Sequence, residues 1–280
     1  MPRDAPIPTA SWQARLALGF ARRGDRTVLA SREHEGPLVV QKALYPEGDL
    51  CCHGILVHPP GGIAGGDALT VAIRAEEGAH ALLTTPGAAK WYRSSGAWAE
   101  SRVDIDAGRD STIEWLPQES IVFDGALARW HWTARLAPGA RVLAWDIACL
   151  GRTGSGERFT RGSVGLDVRI VRDARSLWVE RGVLEPGSRA LESPAGLAGQ
   201  SVFGTLVLAG AAVDDGALAQ CRALAPAQGE GAVTRMPDLF VARYRGDASE
   251  AARRYFTGLW TILRPGSLGR EAVEPRIWRT

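Results

Sequence analysis

The sequence predicts an all-β-dominated fold, β-helical or sandwich-like, built as a single domain over residues 1–280 with a few helices mainly in the C-terminal quarter. Period-two alternation of apolar and polar residues recurs along most of the chain, turn-forming residues interrupt it at short intervals, and only two segments switch to a helical period. Leu38 and Val40 begin the strand series. Leu69, Val71 and Ile73 continue it. In Arg141 to Ile147, Asp146 shares a face with Val142 and Ala144, opposite Leu143, Trp145 and Ile147, so one wall is expected to carry an inward carboxylate. Val164, Leu166, Val168 and Ile170 share one face while Asp167 and Arg169 take the other, and Leu177, Val179 and Val183 read as a further inward set. Glu47-Gly48-Asp49, Glu77-Gly78, Asp124-Gly125, Pro138-Gly139 and Pro186-Gly187 mark turns. Asp215 is expected to cap a short helix that stops before Pro226. Asp247 or Ser249 starts a longer one, in which Ala252, Tyr255, Phe256, Leu259, Trp260 and Leu263 form an apolar stripe that ends at Pro265. These helices are expected to cover one face or end of the β structure.

With 280 residues, 45% of them apolar and 23% charged, the chain has material for a substantial core, and its 33 glycines and 16 prolines follow no fibre period. Disorder and fibre are excluded. Its 33 basic and 31 acidic residues leave a net charge of +2 without a basic cluster, which argues against a nucleic-acid partner. Lysine occurs only at Lys42 and Lys90. Cys51, Cys52, Cys149 and Cys221 lack the spacing of a disulfide framework, which fits a reducing compartment. Residues 1–26 carry no leader pattern, and the longest apolar run, near Leu206 to Val213, is far shorter than the ~20 residues that span a bilayer. The expectation is a cytoplasmic protein with no membrane partner.

Several segments carry candidate chemistry. His58-Pro-Pro-Gly-Gly-Ile-Ala-Gly-Gly-Asp67 has the glycines of a phosphate cradle, but it lacks a Walker lysine and leads into a strand, so a connector between strands is the favoured reading. Cys51, Cys52, His53 and His58 offer soft and borderline metal ligands, yet on a strand Cys52 and His53 point to opposite faces and cannot share an ion without a partner chain. Buried strand side chains are the simpler account of them. An inward Asp146 must either pair with an arginine or stand ready for a cation, and base rates favour the arginine. Glu119 and Asp124 mimic a glycosidase pair without control of their separation. Ten tryptophans, including Trp130 and Trp132, are many for this length and suggest an obligate partner surface as well as core packing.

Read in order, the strings Gly36-Pro37-Leu38, Gln41-Lys42, Tyr45-Pro46-Glu47-Gly48, Cys52-His53, His58 to Ile63, Gly65-Gly66-Asp67, Thr84 to Ala88 with Lys90 and Tyr92-Arg93, Trp115 to Glu119, Gly151-Arg152, Gly154 to Glu157, Ser193 to Gly196, Gly269-Arg270 and Pro275 to Trp278 resemble the UreD (also called UreH) family of urease accessory proteins. The resemblance runs over nearly the whole chain. It implies a non-catalytic, β-helical scaffold that binds UreF, through it the GTPase UreG, and apo-urease, and that helps deliver nickel through a water-filled internal passage without holding a tight cofactor. Under that resemblance Asp67, Asp146 and Glu180 are the expected passage-lining groups, with Cys52, His53 and His58 as weaker candidates for transient nickel contact. A conduit must release what it binds, which suits carboxylates better than a thiolate-imidazole cage. Partner contact is expected in residues 247–280, at Tyr255, Phe256, Leu259, Trp260, Arg264, Arg270, Arg276 and Trp278, because an apolar stripe followed by an arginine-bearing tail makes a poor free surface. The alternative is a β-helical carbohydrate-active hydrolase using Glu119, Asp124 or Asp146.

Overall fold

Three consecutive segments repeat one plan: a strand, a four-residue turn, and a second strand carried back across the molecule. In a computed structural model that describes residues 11–279, the chain opens with a hairpin of β1 (Gln13–Arg23) and β2 (Arg26–Glu35), followed by β3 (Val39–Val40) and β4 (Cys51–Val57). The repeated unit then appears as β5 (Ala68–Ala75), β6 (His80–Thr84) and β7 (Ala89–Trp91), as β8 (Ala99–Ala107), β9 (Thr112–Trp115) and β10 (Ser120–Val122), and as β11 (Leu127–Leu136) with β12 (Arg141–Leu150). Gly78, Asp110 and Gly139 occupy the same left-handed place in the three turns, with φ of 66°, 54° and 71°. Stacking them in register produces a β-solenoid-like single domain. Residues 1–10, at the start of the leader-free reading, and Thr280, at the end of the expected partner tail, lie outside the described residues.

The chain continues through β13 (Ser163–Arg172), β14 (Arg175–Leu184), the one-turn helix α1 (Arg189–Glu192), β15 (Val202–Ala209), α2 (Asp215–Ala223), β16 (Glu230–Met236), β17 (Leu239–Gly246) and α3 (Ser249–Leu268). The first sheet has seven strands in the order β14-β13-β11-β8-β5-β1-β2, parallel from β13 to β1 and antiparallel at both edges. The second runs β16-β17-β15-β12-β9-β6-β4-β3, with β10 pairing both β12 and β7 beside that path. One core fills the space between the sheets. Another lies outside the second sheet, where Leu143, Trp145, Ile147, Leu206, Leu208 and Phe240 meet α2 and α3. β12 is thus covered on both faces, which the parallel pairing of its neighbours demands. Gly204 on β15 allows the close seating of α3: a Cβ there would lie 2.7 Å from Phe256 Cε2.

An ion network centred on the fully buried Arg264 and Glu114 pins α3 to the second sheet. Arg264 Nη1 and Nη2 donate to the two oxygens of Glu47 at 2.8 and 2.7 Å, and its Nε and Nη2 donate to Glu114 at 3.1 and 3.0 Å. Trp260 Nε1 donates to Glu114 at 2.6 Å, His80 Nε2 lies 2.6 Å from Glu114, His53 Nε2 lies 2.6 Å from Glu47, and Arg270 Nε donates to Glu47 at 3.0 Å. Burial alone would push the Glu114 carboxyl up, but the hydrogen bond and charge of His80, with those of Arg264, bring it down to about 2.

Several elements differ from expectation for identifiable reasons. Asp214, not Asp215, caps α2 by accepting from Ala217 N at 2.7 Å. Pro265 lies inside α3, because a proline in the last turn forfeits one backbone bond while Gly269, at φ 72°, closes the helix four residues later. Asp247 is spent on Ser201 N and so caps nothing. The single turn of α1 lies before the last quarter, too short for a periodic signal. Val179 and Val183 face outward, 47% and 57% exposed, since an irregularity between Ile170 and Val171 sets Glu180 opposite the inward Val168.

Replacing Arg264 by methionine strands Glu47 and Glu114 in the interior and is expected to lower unfolding free energy by about 3–5 kcal/mol in urea titrations, a loss below ~1 kcal/mol being incompatible with the pinning role. The Glu114 contribution follows the depressed carboxyl: it is complete above pH 4.5, its ordinary value, and lost as pH falls through about 2. Acid titration of wild type against Glu114→Gln, followed by tryptophan fluorescence, measures that loss.

Candidate functional site

A cavity of about 440 Å³ lies between the two sheets. Leu69, Val71, Val103, Trp130, Trp132, Leu166 and Val168 face it from the first sheet, and Trp115, Asp146, Phe203 and Thr205 from the second. Its wall reaches the surface where the solenoid strands break: β6 and β7 are separated by Thr85 to Ala88, β9 and β10 by Leu116 to Glu119, and exposed Gly61 and Gly87 belong to the lining. Trp91 and Trp132, both on that wall and only 2% and 4% exposed, keep Nε1 donors without a partner among the described residues, and the buried Nε2 of His58 is in the same state. Polar atoms buried in this state ordinarily meet solvent or an ion.

Asp146 lies on the cavity wall with no hydrogen bond or ion pair from any described residue, so the arginine-paired reading of it is corrected. The reason is register. Asp146 stands opposite Thr205 on β15, which stands opposite Arg243 on β17, and the arginine one strand further out reaches Glu180 instead. Arg243 Nη1 donates to Glu180 Oε1 and, at 2.8 Å, to Thr205 Oγ1, with its guanidinium carbon 5.3 Å from the Trp178 ring centre. Burial, then the nearby Glu180 charge, pushes the Asp146 carboxyl up to about 7. The result is a carboxylate pair of which one member has a cation and the other has none. Sequence reasoning missed Arg243 and Thr205, since only the antiparallel return of β15 and β17 brings them beside Asp146.

Of the other expected metal contacts, His58 lines the cavity, and burial lowers its pKa so that the neutral imidazole is favoured. Asp67 does not line it. Its oxygens accept from Trp12 N at 2.7 Å and Ala64 N at 2.8 Å, tying the glycine-rich connector to the start of β1. The connector reading holds there: a Cβ on Gly62 would lie 2.1 Å from the Tyr92 ring. Cys52 packs in the core between the sheets, where burial raises its thiol pKa, whereas His53 points to the opposite face and meets Glu47. Neither joins the cavity wall.

The richest set of metal-ligand types is elsewhere. Glu47, Cys51 and His53, and separately Cys51, His80 and Glu114, bring ligand atoms within 4.8 Å of one another. Arg264 already fills that space with its own positive charge, so the set serves as a guanidinium seat. A strand glutamate inside Thr112-Ile-Glu-Trp115 was the available sign of this network.

The expected partner surface is corrected in the same way. Tyr255, Phe256, Leu259, Trp260 and Arg264 are 3% exposed or less because the stripe packs on the second sheet. Trp278 stacks between Trp145 and Trp260 at 5.5 and 5.7 Å and donates to Thr84 Oγ1 at 2.8 Å, while Arg270 is held by Glu47. Arg276 is exposed. Most tryptophans likewise turn inward, and Trp12, at 51%, is the most exposed among the described residues.

The carboxylates of the hydrolase alternative have separate surroundings. Asp124 accepts from Thr160 N, Thr160 Oγ1 and Arg161 N at 2.7–2.9 Å and binds the Arg161 guanidinium, so it clamps a turn. Val122 lies opposite Leu150, and at about 3.3 Å per residue Asp124 is well beyond the roughly 5–9.5 Å of a glycosidase pair with Asp146. Glu119 contacts Ser249 Oγ at 3.5 Å.

No helix among the described residues is long and apolar enough to cross a membrane. A family model described as UreD urease accessory protein matches residues 13–279. The chain is 54% identical over 269 residues to a urease accessory protein UreD of Azoarcus sp. (strain BH72), covering 96% of this chain and 94% of that one. It is 51% identical over 284 residues to the UreD of Dechloromonas aromatica (strain RCB), covering 100% and 99%, and 50% identical over 271 residues to that of Pseudomonas aeruginosa (strain PAO1), covering 96% of each.

The Asp146 carboxyl, at about 7 when folded against an ordinary 3.8, gives a stability contribution that is full below pH 3.8 and lost as pH rises through 7. Asp146→Asn removes that loss, so the variant is expected to exceed wild type by on the order of 2 kcal/mol at pH 8, after allowance for the cavity-facing side of the carboxyl. The two should converge at pH 4 in thermal unfolding. Parallel pH profiles for the two chains would contradict the burial argument.

Proposed function

Since the chain belongs to the UreD family of urease accessory proteins, a family with a role in urease maturation, we propose that it acts in the cytoplasm as a non-catalytic scaffold that passes nickel toward the urease active site through the cavity between its sheets. The observation that carries this reading is Asp146, a carboxyl without a protein cation on the wall of a cavity that reaches the surface. Nickel is the cargo and no resident cofactor is required. Oxygen donors of Asp146 and Glu180 and the neutral imidazole of His58 are spread over the cavity lining, each weak enough to let a divalent cation go. Carriage without retention needs that weakness.

The same reading includes partners: UreF, the GTPase UreG held through it, and apo-urease. With the apolar stripe of α3 inside the core, contact from this end of the chain falls to exposed groups of the tail, Arg276 foremost. Removing the whole tail would also remove the Trp278 stack, so a point substitution is the cleaner probe.

Urease activity in cells lacking this chain, restored with wild type, Asp146→Asn or Glu180→Gln, tests the passage. Each variant is expected to lower activation roughly 10–100-fold, the scale on which a group supporting a metal site counts. Full activation by both variants would reject the route, and full activation without the chain would reject the maturation role. Arg276→Glu is expected to reduce UreF co-purification with an unchanged unfolding midpoint. Undiminished recovery of UreF would move the contact off the tail.

A further inference from the structure

The end of the cavity marked by Asp146 is bordered by an ion pair whose exposure is uneven. The Arg243 side chain is 45% exposed and that of Glu180 is 23%, while Asp146 and Thr205 belong to the cavity lining. Arg243 therefore stands between the carboxylates and solvent. Its Nη1 serves both Glu180 Oε1 and Thr205 Oγ1, and the strand register places Asp146, Thr205 and Arg243 side by side across β12, β15 and β17. Arg243 already donates to Glu180, so a cation bridging Asp146 and Glu180 would compete with the guanidinium for that carboxylate. Trp178, with its ring centre 5.3 Å from the guanidinium carbon, offers an alternative resting surface through cation–π contact. The Nε1 donors of Trp91 and Trp132 on the same wall have no partner among the described residues and call for an acceptor such as water, which fits a hydrated cavity.

We propose that Arg243 is a displaceable counter-ion that holds Glu180 at this end of the cavity and is exchanged, one positive group for another, when a divalent cation settles between Asp146 and Glu180. The idea rests on the passage reading for its cargo and adds what sets the affinity. In the empty chain Arg243 pairs with Glu180 and offsets part of its charge. An arriving divalent cation must break that pair, and the freed guanidinium, still on its tether, competes for Glu180 and drives release. Arg243 is thus a positioning residue that weakens the site by design.

The test is nickel binding to the full chain by equilibrium dialysis with nickel chloride, comparing wild type, Arg243→Gln, and Arg243→Gln combined with Asp146→Asn. Arg243→Gln is expected to bind nickel roughly tenfold tighter or more, since removal of a like charge favours the bound cation. The gain should disappear in the double variant. Unchanged affinity in Arg243→Gln, or a gain that survives Asp146→Asn, overturns the proposal. Should Arg243→Gln lose its thermal transition, Arg243→Met removes the same charge while keeping an apolar stem, and absence of a comparable gain there overturns the proposal equally. The passage reading fails separately. Tighter nickel binding in Arg243→Gln together with full urease activation by Asp146→Asn and Glu180→Gln would support the counter-ion and reject the passage, whereas loss of activation in those variants without tighter binding in Arg243→Gln would reject the counter-ion alone.

Discussion

Arg264 is buried between the carboxylates of Glu47 and Glu114, and the packing outside the second sheet is organised around that contact. The apolar outer face of β12, β15 and β17 must be covered, and α3 supplies the cover. Apolar contact by itself would let a helix slide or turn on the sheet at small cost. Buried charges do not, because their desolvation is offset only when every hydrogen bond is made at once. The network therefore selects one seating of α3. From that seat Phe256 lies on Gly204, Trp260 donates to Glu114, and the tail is drawn back through Arg270 and Trp278. Fixing the outer face of β12 and β15 fixes their inner face too, where Asp146 and Thr205 meet the cavity.

The chain thus holds two acidic groupings with opposite chemistry. Glu47 and Glu114 are saturated by arginine, histidine and tryptophan donors, and charge pulls both carboxyls down despite burial. Asp146 has no such donor, and burial with a neighbouring carboxylate pushes it up. Ligand type would have favoured the first grouping as a metal centre, since it includes cysteine and histidine. Charge decides otherwise: a resident guanidinium leaves no place for an ion, whereas a cavity wall with an unpaired carboxyl does.

Alternation in Arg141 to Ile147 was enough to place Asp146 inward, since a strand has period two and its neighbours on that face are small and apolar. The same logic failed at Val179 and Val183, where one irregularity in the β13–β14 pairing reverses the face and turns Glu180 inward instead. Pro265 was legible as a helix stop only on the assumption that the helix ended with it. The fate of the α3 stripe was half legible. Its apolar face required cover, and the β sheet provided it before any partner could.

Period, turn chemistry and the ordered strings along the chain determined by themselves a β-dominated fold, β-helical or sandwich-like, two of its helices, the family it belongs to and the inward direction of Asp146, because each of these depends on residues close together in sequence. Tertiary structure alone decided what surrounds those residues. Glu114 and Arg264 are separated by 150 positions, and Asp146 is brought beside Thr205 and Arg243 only by the antiparallel return of β15 and β17. Whether a carboxylate is neutralised or left bare is set by the charges that reach it through space, and no local pattern encodes that distance.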